Sequence, residues 1–173
     1  AAQYAGDACS ISIMNGGDGA GHHPTQTLLD LFTIRQAFGK LDGLKVALVG
    51  DLRYGRTVHS LSHALSRFNC ELIFISPAQL SMPAEIVDDL SESGTTITIS
   101  ENLYEAIPEV DVIYMTRIQK ERFPDDDEYA KVAGIYRLTA EDLAGAKGEM
   151  IILHPLPRVD EIHPDIDTTR HAR

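Results

Sequence analysis

The chain has 173 residues, 43% of them hydrophobic and 24% charged, ordinary proportions for a globular protein with room for one real core and marginal for two. A balance of 26 Asp and Glu against 15 Lys and Arg gives a formal net charge of −11, which excludes a nucleic-acid binder working through a basic face. Two cysteines, Cys9 and Cys70, without a CxxC, exclude a disulfide framework and read as reduced thiols of a cytosolic protein, and no run of about 18 apolar residues predicts a membrane span.

Taken in order, the opening AAQYAGDACS has neither the basic region nor the apolar region of a signal peptide, and without a Met it reads as the start of a fragment. A β-rich run, ISIM (11–14), leads into NGGDGAGHHPTQ, a turn that delivers two histidines. PTQTLLDLFTIRQAF (24–38) predicts a helix with Pro24 in its first turn and Leu28, Leu31, Phe32 and Phe38 near one side. KVALVG (45–50) reads as a strand, and RTVHSLSHALSRF (56–68) as a helix burying Val58, Leu61, Leu65 and Phe68. The strand ELIFIS (71–76) precedes the helix PAEIVDDLSESG (83–94), which ends on a glycine, a common helix stop. TTITIS (95–100), DVIYMT (111–116) and MIILHP (150–155) are further strands, and the acidic PDDDEY (124–129) reads as an exposed loop. Several runs are continuous rather than alternating, as expected for strands covered on both faces. The alternation predicts an α/β fold: a doubly wound, mostly parallel sheet flanked by helices, three-layer α/β/α and Rossmann-like, with right-handed crossovers.

Polar clusters follow four of these runs: NGGDGAGHHPTQ, DLRYGRT, TRIQKER and HPLPR. In open α/β sheets ligands bind outside the carboxyl ends of the strands, so the four are expected to converge on one crevice. GDLRYGRT (50–57) resembles a P-loop with Arg56 where lysine should stand. It lacks interior glycines, however, and no strand ends in an acidic residue to hold Mg²⁺. Its two arginines, Arg53 and Arg56, in an acidic chain point to an anion site. GGDGAGH fails as a dinucleotide fingerprint because His22 stands where the last glycine should. His59 and His63 share a helix face, but no third ligand accompanies them, so no metal is expected. His23, before Pro24 at a helix start, is suited to donating a hydrogen bond to a substrate oxygen. Arg117 and Gln119, two apart on extended backbone, face the same way, and arginine suits carboxylate recognition. HPLPR brackets Leu156 between prolines, an extended segment able to present carbonyl oxygens to a ligand amine.

Together HPTQTLLDLFTI, VGDLRYGRTVHSL, YMTRIQKER and LHPLPRVDEI, in this order and spacing, closely resemble the catalytic chains of the aspartate carbamoyltransferase family. Ornithine carbamoyltransferases typically carry HCLP in place of HPLP and lack the Arg117, Gln119, Arg122 pattern, so the resemblance implies aspartate as the amino acid. It assigns His23 and Gln26 to the carbamoyl group, with His23 polarising the carbonyl oxygen, and the backbone of Leu156 and Pro157 to the amino end of carbamoyl phosphate. Arg56 and Arg117 would hold the two carboxylates of L-aspartate, with Gln119 in support. No cofactor and no metal are implied.

The resemblance further implies that residues 1–23 are a remnant of a carbamoyl-phosphate domain, 24–40 an inter-domain helix, and 41–173 an aspartate-binding domain lacking its final helix. The family's phosphate-gripping S-T-R-T-R element is not among the 173 residues, so the chain alone is expected to be inactive. The resemblance implies a homotrimer in the intact enzyme, whose site a neighbouring subunit's lysine completes, and leaves open a regulatory chain. It also marks 120–134 as a moving loop. An ornithine-type domain and a non-catalytic anion-binding module remain as alternatives; nucleic acid and membrane are not expected as partners, and the compartment is expected to be cytoplasmic.

Overall fold

The computed structural model describes residues 12, 14–17, 21–120, 123 and 125–173. The expected strand at 11–14, Cys9, Arg122 and the moving loop 120–134 lie wholly or partly outside these residues.

Five parallel strands form one sheet in the order β3-β2-β1-β4-β5: β1 Lys45–Val49, β2 Glu71–Ile75, β3 Thr96–Ser100, β4 Val112–Met115 and β5 Ile151–Leu153. The expected α/β/α architecture is therefore the observed one. Val46 to Val49 and Val112 to Met115 are fully buried, because β1 and β4 are central and covered on both faces. Alternate residues feed two cores. Val46, Leu48, Phe74, Val112 and Tyr114 pack with Val58, Leu61 and Leu65 of α2 (Arg56–Leu65), Leu90 of α3 (Ala84–Glu92) and Ile34 of α1 (Pro24–Phe38). Ala47, Val49, Ile73, Ile113 and Met115 pack on the other face against Leu103 and Ala106 of α4 (Leu103–Ala106) and against Tyr136, Leu138 and Ile162. Edge strand β3 is largely exposed, with Thr96, Thr98 and Ile99 facing solvent and Ile97 half-buried against the core. Among the described residues no helix is long and apolar enough to cross a membrane.

After β3 the chain returns to the middle of the sheet and lays β4 beside β1. That reversal of winding opens a crevice at the carboxyl ends of β1 and β4. The two ends are stitched together by Thr116, whose hydroxyl donates to Val49 O at 3.1 Å and accepts from the Asp51 N–H at 3.1 Å.

Two expectations need correction. The inward residues of α1 are Thr27, Asp30 and Ile34, while Leu28 (67% exposed) and Phe32 (60%) face outward. Leu31 and Phe38 are half-buried against the core, as expected. Both polar residues of the inner stripe make hydrogen bonds there: Thr27 Oγ1 donates to His23 O at 3.1 Å, and Asp30 Oδ1 accepts from Gln26 at 2.8 Å. PDDDEY is not wholly loop either: α5 spans Asp126–Ala130, capped by Asp125, whose Oδ1 accepts from the Glu128 N–H at 2.8 Å. An aspartate at the N-cap starts a helix where composition alone suggested solvent.

Candidate functional site

A cavity of about 350 Å³ sits on this crevice. It is small, at the lower end of the range for small-molecule clefts. Four segments line it. From the start of α1 come His23 and Gln26; from the β1–α2 turn, Asp51, Gly55, Arg56 and Thr57; from the end of β4, Thr116, Arg117 and Gln119; from the end of β5, His154, Pro155 and Leu156. Sequence reasoning singled out seven site residues, and six of them meet here. Pro157 follows Leu156 through a cis peptide bond and stands outside the lining. The ends of β2 and β3, which carry no polar cluster, contribute nothing to the lining.

The local chemistry explains each placement. Gly55 precedes α2 without a side-chain cap, and a Cβ there would lie 2.5 Å from Asp51 O, so glycine is required for the close approach. The start of α2, with Arg56 and Thr57, therefore lies against the cavity, where a helix N-terminus and an arginine both favour an anion. Arg53, by contrast, leaves the cavity: its guanidinium stacks on the Tyr54 ring at 5.3 Å and donates to Gln79 O at 3.3 Å. Arg117 and Gln119 both reach the lining, as their two-residue spacing requires.

His23 occupies the N-cap position of α1; its N–H donates to Ser60 Oγ at 3.0 Å, which ties this helix start to α2. One turn on, Gln26 Nε2 donates to Asp30 Oδ1 at 2.8 Å. Burial pushes the Asp30 carboxyl up to about 6, with the hydrogen bond from Gln26 pulling the other way. The Tyr114 hydroxyl lies beside it and, like Gln26, favours its ionised form, although neither the second oxygen nor that hydroxyl is in strict hydrogen-bond geometry. Burial also pushes the Tyr114 phenol up, and the Asp30 charge adds to this.

At the β5 end, the Leu156 N–H donates to His154 Nδ1 at 2.8 Å, which makes Nδ1 the unprotonated nitrogen. His154 Nε2 lies 2.7 Å from Glu161 Oε1, close but poorly aligned for a hydrogen bond. Burial alone would raise the Glu161 carboxyl; His154 and the N–H groups of Glu161 itself and Val159 outweigh it and hold the group below its ordinary value. Leu156 adopts a left-handed backbone, φ 54°, and its side chain is exposed at the cavity mouth. Such a conformation costs an L-residue about 1–2 kcal/mol and clusters at ligand sites.

Asp51, Gly55, Thr57, Thr116, His154 and Pro155 line the cavity without having been singled out. All are neighbours of residues that were, within the same motifs, so adjacency was the available signal. His59 is engaged elsewhere: its Nε2 is 2.7 Å from Leu52 O, and burial lowers its basicity. Among the described residues no group of three or more His, Cys, Asp or Glu is arranged to hold a metal ion.

The Asp30 shift has a testable consequence for stability. Between about pH 4 and 6 the folded chain binds more protons at Asp30 than the unfolded chain, so this group's contribution to stability falls as pH rises through that window. Above it the fold carries an ionised, buried carboxylate. Asp30→Asn is therefore expected to be more stable than the wild type at pH 8, by at most about 3 kcal/mol. The difference should vanish near pH 4, as measured by urea unfolding of both chains at the two pH values.

Comparison with known proteins adds the following. Residues 42–173 match the family model of the aspartate/ornithine carbamoyltransferase Asp/Orn-binding domain, and residues 1–36 that of the carbamoyl-P-binding domain. The aspartate carbamoyltransferase catalytic subunit of Thermococcus kodakarensis is 55% identical over 172 residues, covering 99% of this chain and 56% of the relative. That of Archaeoglobus fulgidus is 55% identical over 173 residues, with coverages of 100% and 56%. Among solved structures, the catalytic subunit of M. jannaschii aspartate transcarbamoylase superposes with a TM-score of 0.88 at 49% identity, over 99% of this chain and 56% of that one. Aspartate transcarbamoylase from Trypanosoma cruzi, in complex with N-(phosphonacetyl)-L-aspartic acid, gives 0.83 at 38% identity, over 98% and 54%. The chain thus spans about half the length of the curated relatives it matches.

Proposed function

The chain belongs to the aspartate/ornithine carbamoyltransferase family, and on that premise we propose that its cavity is the aspartate side of a carbamoyltransferase site. The reaction moves the carbamoyl group of carbamoyl phosphate to the amine of L-aspartate, giving N-carbamoyl-L-aspartate and phosphate, a step of pyrimidine biosynthesis. The observation that carries this reading is the convergence of His23, Gln26, Arg56, Arg117, Gln119 and Leu156 on one small cavity.

The roles are those the family resemblance implies, and the chemistry of the groups suits them. Arg56 and Arg117 bind the two carboxylates, and Gln119 supports them. His23 donates to the carbamoyl oxygen as charge gathers there, while the Leu156 and Pro157 backbone faces the amino group. Attack of the amine on the carbonyl carbon forms the new C–N bond; the C–O bond to phosphate then breaks, and the departing phosphate takes the proton. Such a step needs positioning and oxyanion stabilisation more than a strong base.

Residues 1–23 are assigned to the carbamoyl-phosphate side, 24–40 to the connecting helix and 41–173 to the aspartate domain. A homotrimer is the proposed assembly and the cytoplasm the proposed compartment. The chain spans about half the length of the curated relatives it matches, and the family's S-T-R-T-R phosphate grip is not among its 173 residues. Binding is therefore the test. Titration with succinate, followed by NMR, is expected to show roughly millimolar affinity and shifts at Arg56 and Arg117, and L-ornithine should leave both unmoved. A preference for ornithine would move the assignment to the ornithine-type enzymes.

A further inference from the structure

Asp30 does not line the cavity, yet it is bonded to a residue that does. It lies one helical turn after Gln26 on the inner stripe of α1, is only 5% exposed, and takes the Gln26 Nε2 hydrogens through Oδ1 at 2.8 Å. A carboxylate has no proton to give, so it accepts only from the NH₂ end of a carboxamide. The two ends of that amide have nearly the same shape, and packing alone does not choose between them. The bond to Asp30 does, and it leaves Gln26 Oε1, an acceptor, as the end available to the cavity.

The carboxyl is poorly accommodated for any purely structural purpose. Its second oxygen is buried beside the Tyr114 hydroxyl, outside strict hydrogen-bond geometry, and burial shifts its titration up to about 6. An apolar side chain of similar size would suit the stripe between Thr27 and Ile34 better.

We infer that Asp30 is a positioning residue that fixes the polarity of the Gln26 amide, so that the cavity meets the amino group of a carbamoyl ligand with an acceptor and discriminates it from an acyl group of the same shape. The inference rests on the carbamoyltransferase reading of the cavity and adds to it a side-chain acceptor for the amino end, beside the backbone of Leu156 and Pro157.

N-Carbamoyl-L-aspartate and N-acetyl-L-aspartate differ by NH₂ against CH₃ at the relevant end, and calorimetric titration at pH 8, where Asp30 is ionised, separates the claims. The wild type should prefer the carbamoyl ligand by about fivefold, the worth of one neutral hydrogen bond. Asp30→Ala should lower that ratio severalfold while leaving N-acetyl-L-aspartate affinity within about twofold. Asp30→Asn, whose side-chain oxygen takes the same bond, should keep most of the preference, and Gln26→Ala should lower it as far as Asp30→Ala does. If Asp30→Ala does not fold, Asp30→Leu fills the space without an acceptor and carries the same test. An Asp30→Ala or Asp30→Leu chain with the wild-type ratio overturns the inference, as does a wild type that binds both ligands equally. A wild type that binds neither overturns the functional reading itself, and the inference with it.

Discussion

Gly50→Ala is expected to destabilise the fold by roughly 4 kcal/mol, a large loss for a single methyl group. Gly50 ends β1 with φ at 112°, a region that L-residues rarely adopt, and an added Cβ would lie 2.3 Å from Thr116 O and 2.8 Å from Thr116 Oγ1. Neither neighbour is free to move. The Thr116 N–H donates to Val49 O at 2.9 Å, and its hydroxyl bridges Val49 O and the Asp51 N–H. Relief requires prising β1 from β4 at the place where the crevice opens. Gly94, which follows α3 with φ 85° and nothing near its added Cβ, serves as the comparison; alanine there should cost only about 1 kcal/mol. Urea unfolding of the two variants measures the difference. A Gly50→Ala chain within 1 kcal/mol of the wild type would mean that the β1–β4 stitch is softer than the geometry requires.

The second large effect concerns binding. Arg56→Ala and Arg117→Ala should each weaken succinate by roughly 10- to 100-fold, the worth of a charge-assisted hydrogen bond to a carboxylate in a partly enclosed site. Both arginines line the cavity, half-buried, from opposite sides of the β1–β4 crevice. Arg117→Lys should recover only part of the loss, because an ammonium cannot hold a carboxylate with two parallel bonds. Arg53→Ala should change affinity less than twofold, since its guanidinium lies on Tyr54, outside the lining. Equal losses at Arg53 and Arg56, read from succinate titrations, would show a diffuse field from the loop rather than a defined contact.

Much of this was legible from residue order. The helix at 24–38 starts and stops where Pro24 and Gly39 require, and the five strands lie within the expected runs, shortened at their ends. The cavity was legible as well, because polar clusters follow β1, β4 and β5, whose carboxyl ends line it, and none follows β2 or β3. What escaped were features decided by partners distant from the local pattern. The inner stripe of α1 was misread because hydrophobicity ranks Leu28 and Phe32 above Thr27 and Asp30, whereas the latter two face inward and are hydrogen-bonded there. The pairing of His154 with Glu161 depends on how the loop after β5 folds back, and no periodicity encodes it. The need for glycine at position 50 arises from Thr116, 66 residues further along the chain.

One measurement bears most directly on the carbamoyltransferase reading: titration of the chain with N-carbamoyl-L-aspartate, followed on assigned backbone amides. The account predicts that perturbations gather at residues 23–26, 50–57, 116–119 and 154–157, the four segments that line the cavity. Silence in those segments, or shifts gathered at the ends of β2 and β3 instead, would contradict it.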